Sequence, residues 1–149
     1  MEGTEIRKLQ PDDLNLFIQL IDTFAEVFEM KSFVRPPSDY LESLLKKEGF
    51  MAFVAIKSNA VLGGLTVYTL DQYYSEKPLA YIYDLAVKVD FQRMGIGRKL
   101  VDAVRSTCRE LGYEEVFVQA DEPDDYALDF YRLTGPTAEE RVRHFYYTL

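Results

Sequence analysis

The ten residues Phe91-Gln92-Arg93-Met94-Gly95-Ile96-Gly97-Arg98-Lys99-Leu100 constrain this chain more than any other stretch. An apolar run, Tyr81 to Val89, enters the segment, and an amphipathic pattern beginning near Ile96 leaves it. That pattern reads as a strand passing through a glycine turn into a helix. Gly95 and Gly97 strip the turn of side chains, so a bulky anion can approach several backbone N–H groups together. A helix N-terminus also carries partial positive charge, which suits a phosphate or pyrophosphate. Arg93, Arg98 and Lys99 add formal charge beside it. The string lacks the G-x-x-x-x-G-K-[ST] of a kinase-type phosphate loop. It also misses the dinucleotide fingerprint G-x-G-x-x-G, because Leu100 stands where the third glycine belongs. What remains is Q-x-x-G-x-G between a strand and a helix. The plainer reading of that string is a tight turn with a glycine cap.

With 149 residues the chain reads as a single domain able to bury a core. Its 48% hydrophobic content, with 11 Tyr and 10 Phe, excludes a disordered chain. No apolar run approaches the roughly 18 residues of a membrane span. Met1-Glu2-Gly3-Thr4-Glu5 has no basic patch leading into an apolar core, so no signal peptide is expected. Cys108 is the single cysteine, read as a buried helix residue in a reducing cytoplasm. The net charge of −8 argues against nucleic acid and favours a cationic partner such as a polyamine or an aminosugar. Plain solubility charge is the competing explanation.

Thr4 to Leu9 reads as a first strand. Pro11 suits a helix start, and Leu14, Phe17, Ile18, Ile21, Phe24, Ala25 and Phe28 then repeat at helical spacing to about Met30. Ser38 or Asp39 caps a second helix through Lys47. Phe50–Ile56 and Val61–Leu70 form a hairpin around Lys57-Ser58-Asn59-Ala60, and Gly63-Gly64 signals a bulge or a close backbone approach. Leu79–Val89 is apolar on both faces, as a central strand should be. After the glycine turn, Leu100, Val101, Val104, Cys108 and Leu111 form a helical stripe ended by Gly112. Val116–Ala120 is a strand, Asp121–Asp125 an acidic loop, Tyr126–Leu133 a short helix and Arg141–Leu149 a final strand. The aromatic-rich edge of that last strand invites pairing, so a homodimer is expected. The order β-α-α-β-β-β-α-β-α-β predicts an α/β (α+β) fold, a mixed central sheet with helices on both faces.

Both the order and the turn resemble the GNAT acetyltransferases, whose acyl-CoA pyrophosphate loop is written [RQ]-x-x-G-x-[GA]. The resemblance covers nearly the whole chain. It implies acetyl-CoA as cofactor, held by Gln92, Arg93, Met94, Gly95, Ile96, Gly97, Arg98 and Lys99. It further implies that the central strand splays from its neighbour at Leu85, Ala86 and Val87, where the N–H groups of Leu85 and Val87 polarise the acetyl carbonyl and pair with pantetheine. The string Asp124 to Gly135 resembles the family's N-x-x-A-x-x-[FL]-Y-x-x-x-G, with Ala127, Phe130, Tyr131 and Gly135 in register. Asp124 replaces the usual Asn, and Pro136 the usual aromatic. By this resemblance Tyr131 donates a proton to the leaving thiolate, a step a phenol can make because its pKa is not far above that of a thiol.

Amine acetylation also needs a base. Asp84 sits within Tyr81-Ile82-Tyr83-Asp84-Leu85-Ala86-Val87, where a charge is costly to bury without a partner, and a substrate ammonium is such a partner. Tyr83 is read as a substrate neighbour. Asp121, Glu122 and Asp124 offer carboxylates for further ammonium groups, while Asp125 reads as a helix cap. His144 is the only histidine and reads as structural. Three strings, Tyr81–Val87, Val118-Gln119-Ala120-Asp121 with Asp124-Asp125, and His144-Phe145, resemble the aminoglycoside 3-N-acetyltransferases of gentamicin-type antibiotics. Ser38-Asp39-Tyr40-Leu41 agrees. That resemblance implies acetylation of the 3-amino group of 2-deoxystreptamine. Polyamines, protein or peptide amines, and a non-catalytic acyl-CoA or polyamine sensor stand as alternatives.

Overall fold

The computed structural model describes residues 2–149. Strands β1 (Glu5–Lys8), β2 (Phe50–Lys57), β3 (Ala60–Leu70), β4 (Leu79–Val87) and β5 (Glu115–Val118) lie side by side in that order. The first three pairings are antiparallel and β4–β5 is parallel, so the sheet is mixed as expected. Helices α1 (Leu14–Val27) and α2 (Ser38–Leu45) precede β2, α3 (Ile96–Leu111) links β4 to β5, and α4 (Asp125–Leu133) follows. By chain contacts the residues divide into one unit up to Gln119 and another from Ala120 to Leu149.

Within the first unit the sheet separates two apolar layers, because neighbouring strand residues point to opposite faces. Met51, Phe53, Ala55, Leu65, Val67, Ala80 and Ile82 pack with Ile96, Leu100, Val104 and Cys108 of α3. Phe50, Ala52, Val54, Ile56 and Ala86 pack on the other face with Phe17, Leu20 and Phe24 of α1 and Leu41 of α2. β2 is therefore apolar from Phe50 to Ile56. Its turn to β3 uses Ser58 and Asn59, both at positive φ (51° and 64°), the backbone that a two-residue hairpin demands. Gly63-Gly64 answers to both sequence readings. The β2–β3 register shifts beside Gly63, and a Cβ on Gly64 would stand 2.5 Å from Leu20 Cδ1 and 2.4 Å from the Phe53 carbonyl oxygen. The missing side chain is what seats Leu20 on the sheet. Among the described residues no helix is long and apolar enough to cross a membrane.

Three local readings need correction. α1 starts at Leu14 rather than Pro11, since the Asp13 carboxylate accepts instead from the Gln10 N–H (2.8 Å) and the Arg7 guanidinium (3.0 Å). Asp124, not Asp125, caps α4, its Oδ1 accepting from the Ala127 N–H at 3.0 Å. The segment Arg141–Leu149 forms no strand and its side chains are exposed. A strand needs an edge to pair with, and none of the described strands pairs there.

Candidate active site

The centre of interest is a defect in the β3–β4 ladder. Leu65 pairs with Leu85, but Val67 pairs with Ile82, so Thr66 faces two residues, Tyr83 and Asp84. This is a β-bulge. Ordinarily sequence neighbours on a strand face opposite sides. Here Tyr83 and Asp84 both line one pocket of about 410 Å³ on the α1 side, with Ile21, Phe24, Phe28, Met30 and Phe33. The Asp84 N–H lies 3.4 Å from Thr66 Oγ1.

The bulge also coincides with the end of pairing to β5, which stops at Ile82–Val118. Beyond it β4 continues to Val87 with no β5 partner among the described residues. Lys88 N–H donates to the Leu62 carbonyl of β3 (2.8 Å), and Asp84 N–H also points to β3. Backbone alternation then directs the N–H groups of Leu85 and Val87 to the opposite, unpaired edge. Ala86, between them, is buried against α1.

Asp84 is half-buried. Among the described residues no hydrogen bond or ion pair reaches its carboxylate. Burial pushes its pKa above the ordinary carboxylate value. Rings crowd around it: Tyr83 meets Tyr68 edge-on at 5.6 Å and Tyr81 at 5.8 Å, and Tyr81 stacks on Phe117 at 4.7 Å. Burial, then the neighbouring Tyr83 and Asp84, raise the phenol pKa values of Tyr68 and Tyr81. Asp84, Tyr68 and Tyr81 thus resist a negative charge, and a cation placed beside Asp84 reverses that. Perturbed acids gathered in a cleft mark a functional site more often than chance.

At the far end of β4 a single 3-10 turn, Val89–Phe91, leads to the glycine turn. Gln92 Nε2 donates to the Val87 carbonyl (3.0 Å) and ties the turn to the strand. Arg93 and Gly95 both take positive φ, 62° and 84°. Gly95 is the left-handed N-cap of α3, and a Cβ there would meet nothing within 4 Å. α3 begins with no side-chain cap and no acidic residue in its first turn. The first N–H groups, from Ile96 onward, are therefore left for an outside acceptor. Met94, Arg98 and Lys99 are exposed, while Ile96 and Gly97 are buried.

The second unit holds the other expected residues. Tyr131 is half-buried on α4, its ring 4.9 Å from Phe130. Asp121, Glu122 and Asp124 are exposed; Glu122 lies 3.7 Å from Arg141, and Asp124 serves as the α4 cap. His144 stacks on Tyr146 at 5.9 Å. Sequence reasoning missed the pocket's apolar wall and Thr66. Phe24 and Phe28 were legible only as a helix stripe, and Thr66, one of two threonines in β3, gave no signal of the bulge.

Comparison with known proteins agrees with this geometry. The model of the acetyltransferase (GNAT) family matches residues 17–135. Two crystal structures of aminoglycoside acetyltransferase meta-AAC0020, from an uncultured soil metagenomic sample, are similar over 99% of this chain and 97% of theirs. The complex with trehalose has 60% identity and a TM-score of 0.97, and that with sisomicin 59% and 0.98. Aminoglycoside acetyltransferase HMB0005, also from an uncultured soil metagenomic sample, is 32% identical with a TM-score of 0.91 over 98% of both chains. With a family match over residues 17–135 and 60% identity to an acetyltransferase over nearly the whole chain, the chain belongs to the GNAT family of acetyltransferases.

Proposed function

We propose that the protein transfers the acetyl group of acetyl-CoA to a primary amine of an aminoglycoside, the 3-amino group of its 2-deoxystreptamine ring, and so confers resistance. The observation that carries this reading is the half-buried Asp84 carboxylate, with no protein cation beside it, in an aromatic pocket next to an unpaired strand edge. The 60% identity to an aminoglycoside acetyltransferase supports the substrate class.

The residues present fit acetyl-CoA, because α3 opens uncapped beneath the side-chain-free Gly95 and the β4 edge offers free donors. When bound, the cofactor supplies an activated acetyl thioester. Gly95, Ile96 and Gly97 present N–H groups to its pyrophosphate, Arg98 and Lys99 add charge, and Gln92, Arg93 and Met94 shape the turn. Leu85 and Val87 donate N–H groups to the acetyl carbonyl and pantetheine, a preorganised stabilisation of developing negative charge. Asp84 orients the substrate ammonium and takes its proton, directly or through one water. Tyr131 returns a proton to the departing thiolate. Tyr83, Asp121, Glu122 and the Asp124 oxygen not used in its cap hold the substrate's other ammonium groups.

Purified protein with acetyl-CoA, a panel of gentamicin-type aminoglycosides and spermidine, read by free thiol, tests the proposal. Turnover of aminoglycosides with the product acetylated at the 3-amino group is the expected result. Turnover of spermidine alone overturns the substrate assignment. Acetyl-CoA binding without thiol release from any amine makes the protein a sensor.

A further inference from the structure

Taking Asp84 as the base of the proposed reaction, we propose that Thr66 is a positioning residue, whose hydroxyl fixes the bulge and aims the Asp84 carboxylate at the substrate amine. Thr66 lies on the α1 face of β3. Its neighbours Leu65 and Val67 pack into the α3 layer, and its β2 partner, Ala52, packs into the α1 layer. Among the described residues the buried polar side chains are Asp13, Thr23, Thr66 and Thr134. Three of them find partners close by in sequence. Asp13 accepts from Gln10 N–H and Arg7, Thr23 donates to the Gln19 carbonyl (2.8 Å) and Thr134 to the Tyr131 carbonyl (2.6 Å). Thr66 instead reaches across to β4, and the group it meets is the Asp84 N–H.

A bulge leaves one residue of the longer strand out of the ladder, with an N–H that no carbonyl across it takes. Here Thr66 Oγ1 accepts from that N–H at 3.4 Å. The hydroxyl does for the bulge what a ladder carbonyl does for a regular strand. Thr66 can hold the point still, because β3 lies inside the sheet and Ala52 of β2 pairs with it on the other side. Asp84 is the one carboxylate lining the pocket, and the bulged backbone sets the direction of its Cα–Cβ bond. A half-buried N–H without an acceptor turns its peptide toward another one, and the carboxylate turns with it. A misplacement of about 1 Å between reacting groups costs on the order of a hundredfold in rate. Thr69, the other threonine of β3, bonds the Tyr113 hydroxyl at 2.7 Å on the α3 side and has no part in the bulge.

Thr66→Val keeps the branched shape and removes the hydroxyl, whereas Thr66→Ser keeps the hydroxyl. With acetyl-CoA and gentamicin, Thr66→Val should lower kcat by about ten- to a hundredfold. Its circular dichroism and acetyl-CoA affinity should match wild type. Thr66→Ser should stay within about threefold of the wild-type kcat, since the acceptor oxygen is retained. Thr69→Val should turn over at the wild-type rate. In the Asp84→Asn background the Thr66→Val change should alter kcat by less than about twofold, because a residue acting only through Asp84 has nothing left to act on. Thr66→Ala, which also lacks the oxygen, repeats the cycle if Thr66→Val unfolds. Wild-type kcat in Thr66→Val overturns the proposal, as do equal losses in Thr66→Val and Thr66→Ser. So does an undiminished Thr66→Val loss on top of Asp84→Asn. Wild-type turnover by Asp84→Asn itself is the separate result that removes Asp84 as the base, and the role of Thr66 with it.

Discussion

Asp84 holds a charge that the fold disfavours, and this makes it separable from the scaffold. Its pKa is raised in the folded state by burial, so the native protein binds more protons than the unfolded chain between the ordinary carboxylate pKa and the raised one. Stability therefore falls as pH rises through that window. Asp84→Asn should raise Tm at pH 7 relative to wild type and leave it unchanged near pH 3. Calorimetry at both pH values checks the sign. The same variant should leave acetyl-CoA affinity unchanged and lower turnover of aminoglycosides by about a hundredfold, the scale of a lost general base. Wild-type rates in that assay would remove Asp84 from the mechanism. Gly64 makes a contrasting case, since it serves packing alone. Gly64→Ala drives a methyl group into the Phe53 carbonyl and Leu20, and should cost about 1–3 kcal/mol by overpacking. Chemical denaturation measures this, with the denaturation slope unchanged.

The β4–turn–α3 element joins two donors that differ in kind, a strand edge and a helix end. Gly95→Val places a β-branched residue at φ 84° and fills the open space over the first turn of α3. The left-handed backbone should cost about 1–2 kcal/mol and acetyl-CoA affinity should fall at least tenfold, read by titration calorimetry. This element was the most legible part of the chain, because glycine spacing and a stripe of 3.6 period are local signals. The Ser58-Asn59 turn and the Gly63-Gly64 approach were legible for the same reason. The bulge at Tyr83-Asp84 was not, because a register shift depends on what lies across the ladder, and a run of apolar and aromatic residues looks the same with or without it. Arg141–Leu149 shows the converse. Its composition says strand, yet pairing is not a property of the segment, and the single chain gives it none.

Across the whole molecule the net charge of −8 sets a field that any polycationic amine enters favourably. Raising salt toward 1 M shortens the screening length to about 3 Å, so the aminoglycoside KM should climb severalfold while kcat holds. Steady-state kinetics across a chloride series reads this, and a flat KM would show that contacts inside the pocket dominate. The bulge has a consequence at the level of inheritance. One residue of β4 is surplus to the ladder, since Thr66 already has a partner if either Tyr83 or Asp84 is absent. An in-frame loss of the Tyr83 codon would leave a regular strand with Asp84 still on the α1 side, a folded protein with a plainer pocket. The surplus at Tyr83-Asp84 therefore marks the place in the gene where losing a single codon would take no pair from the β3–β4 ladder.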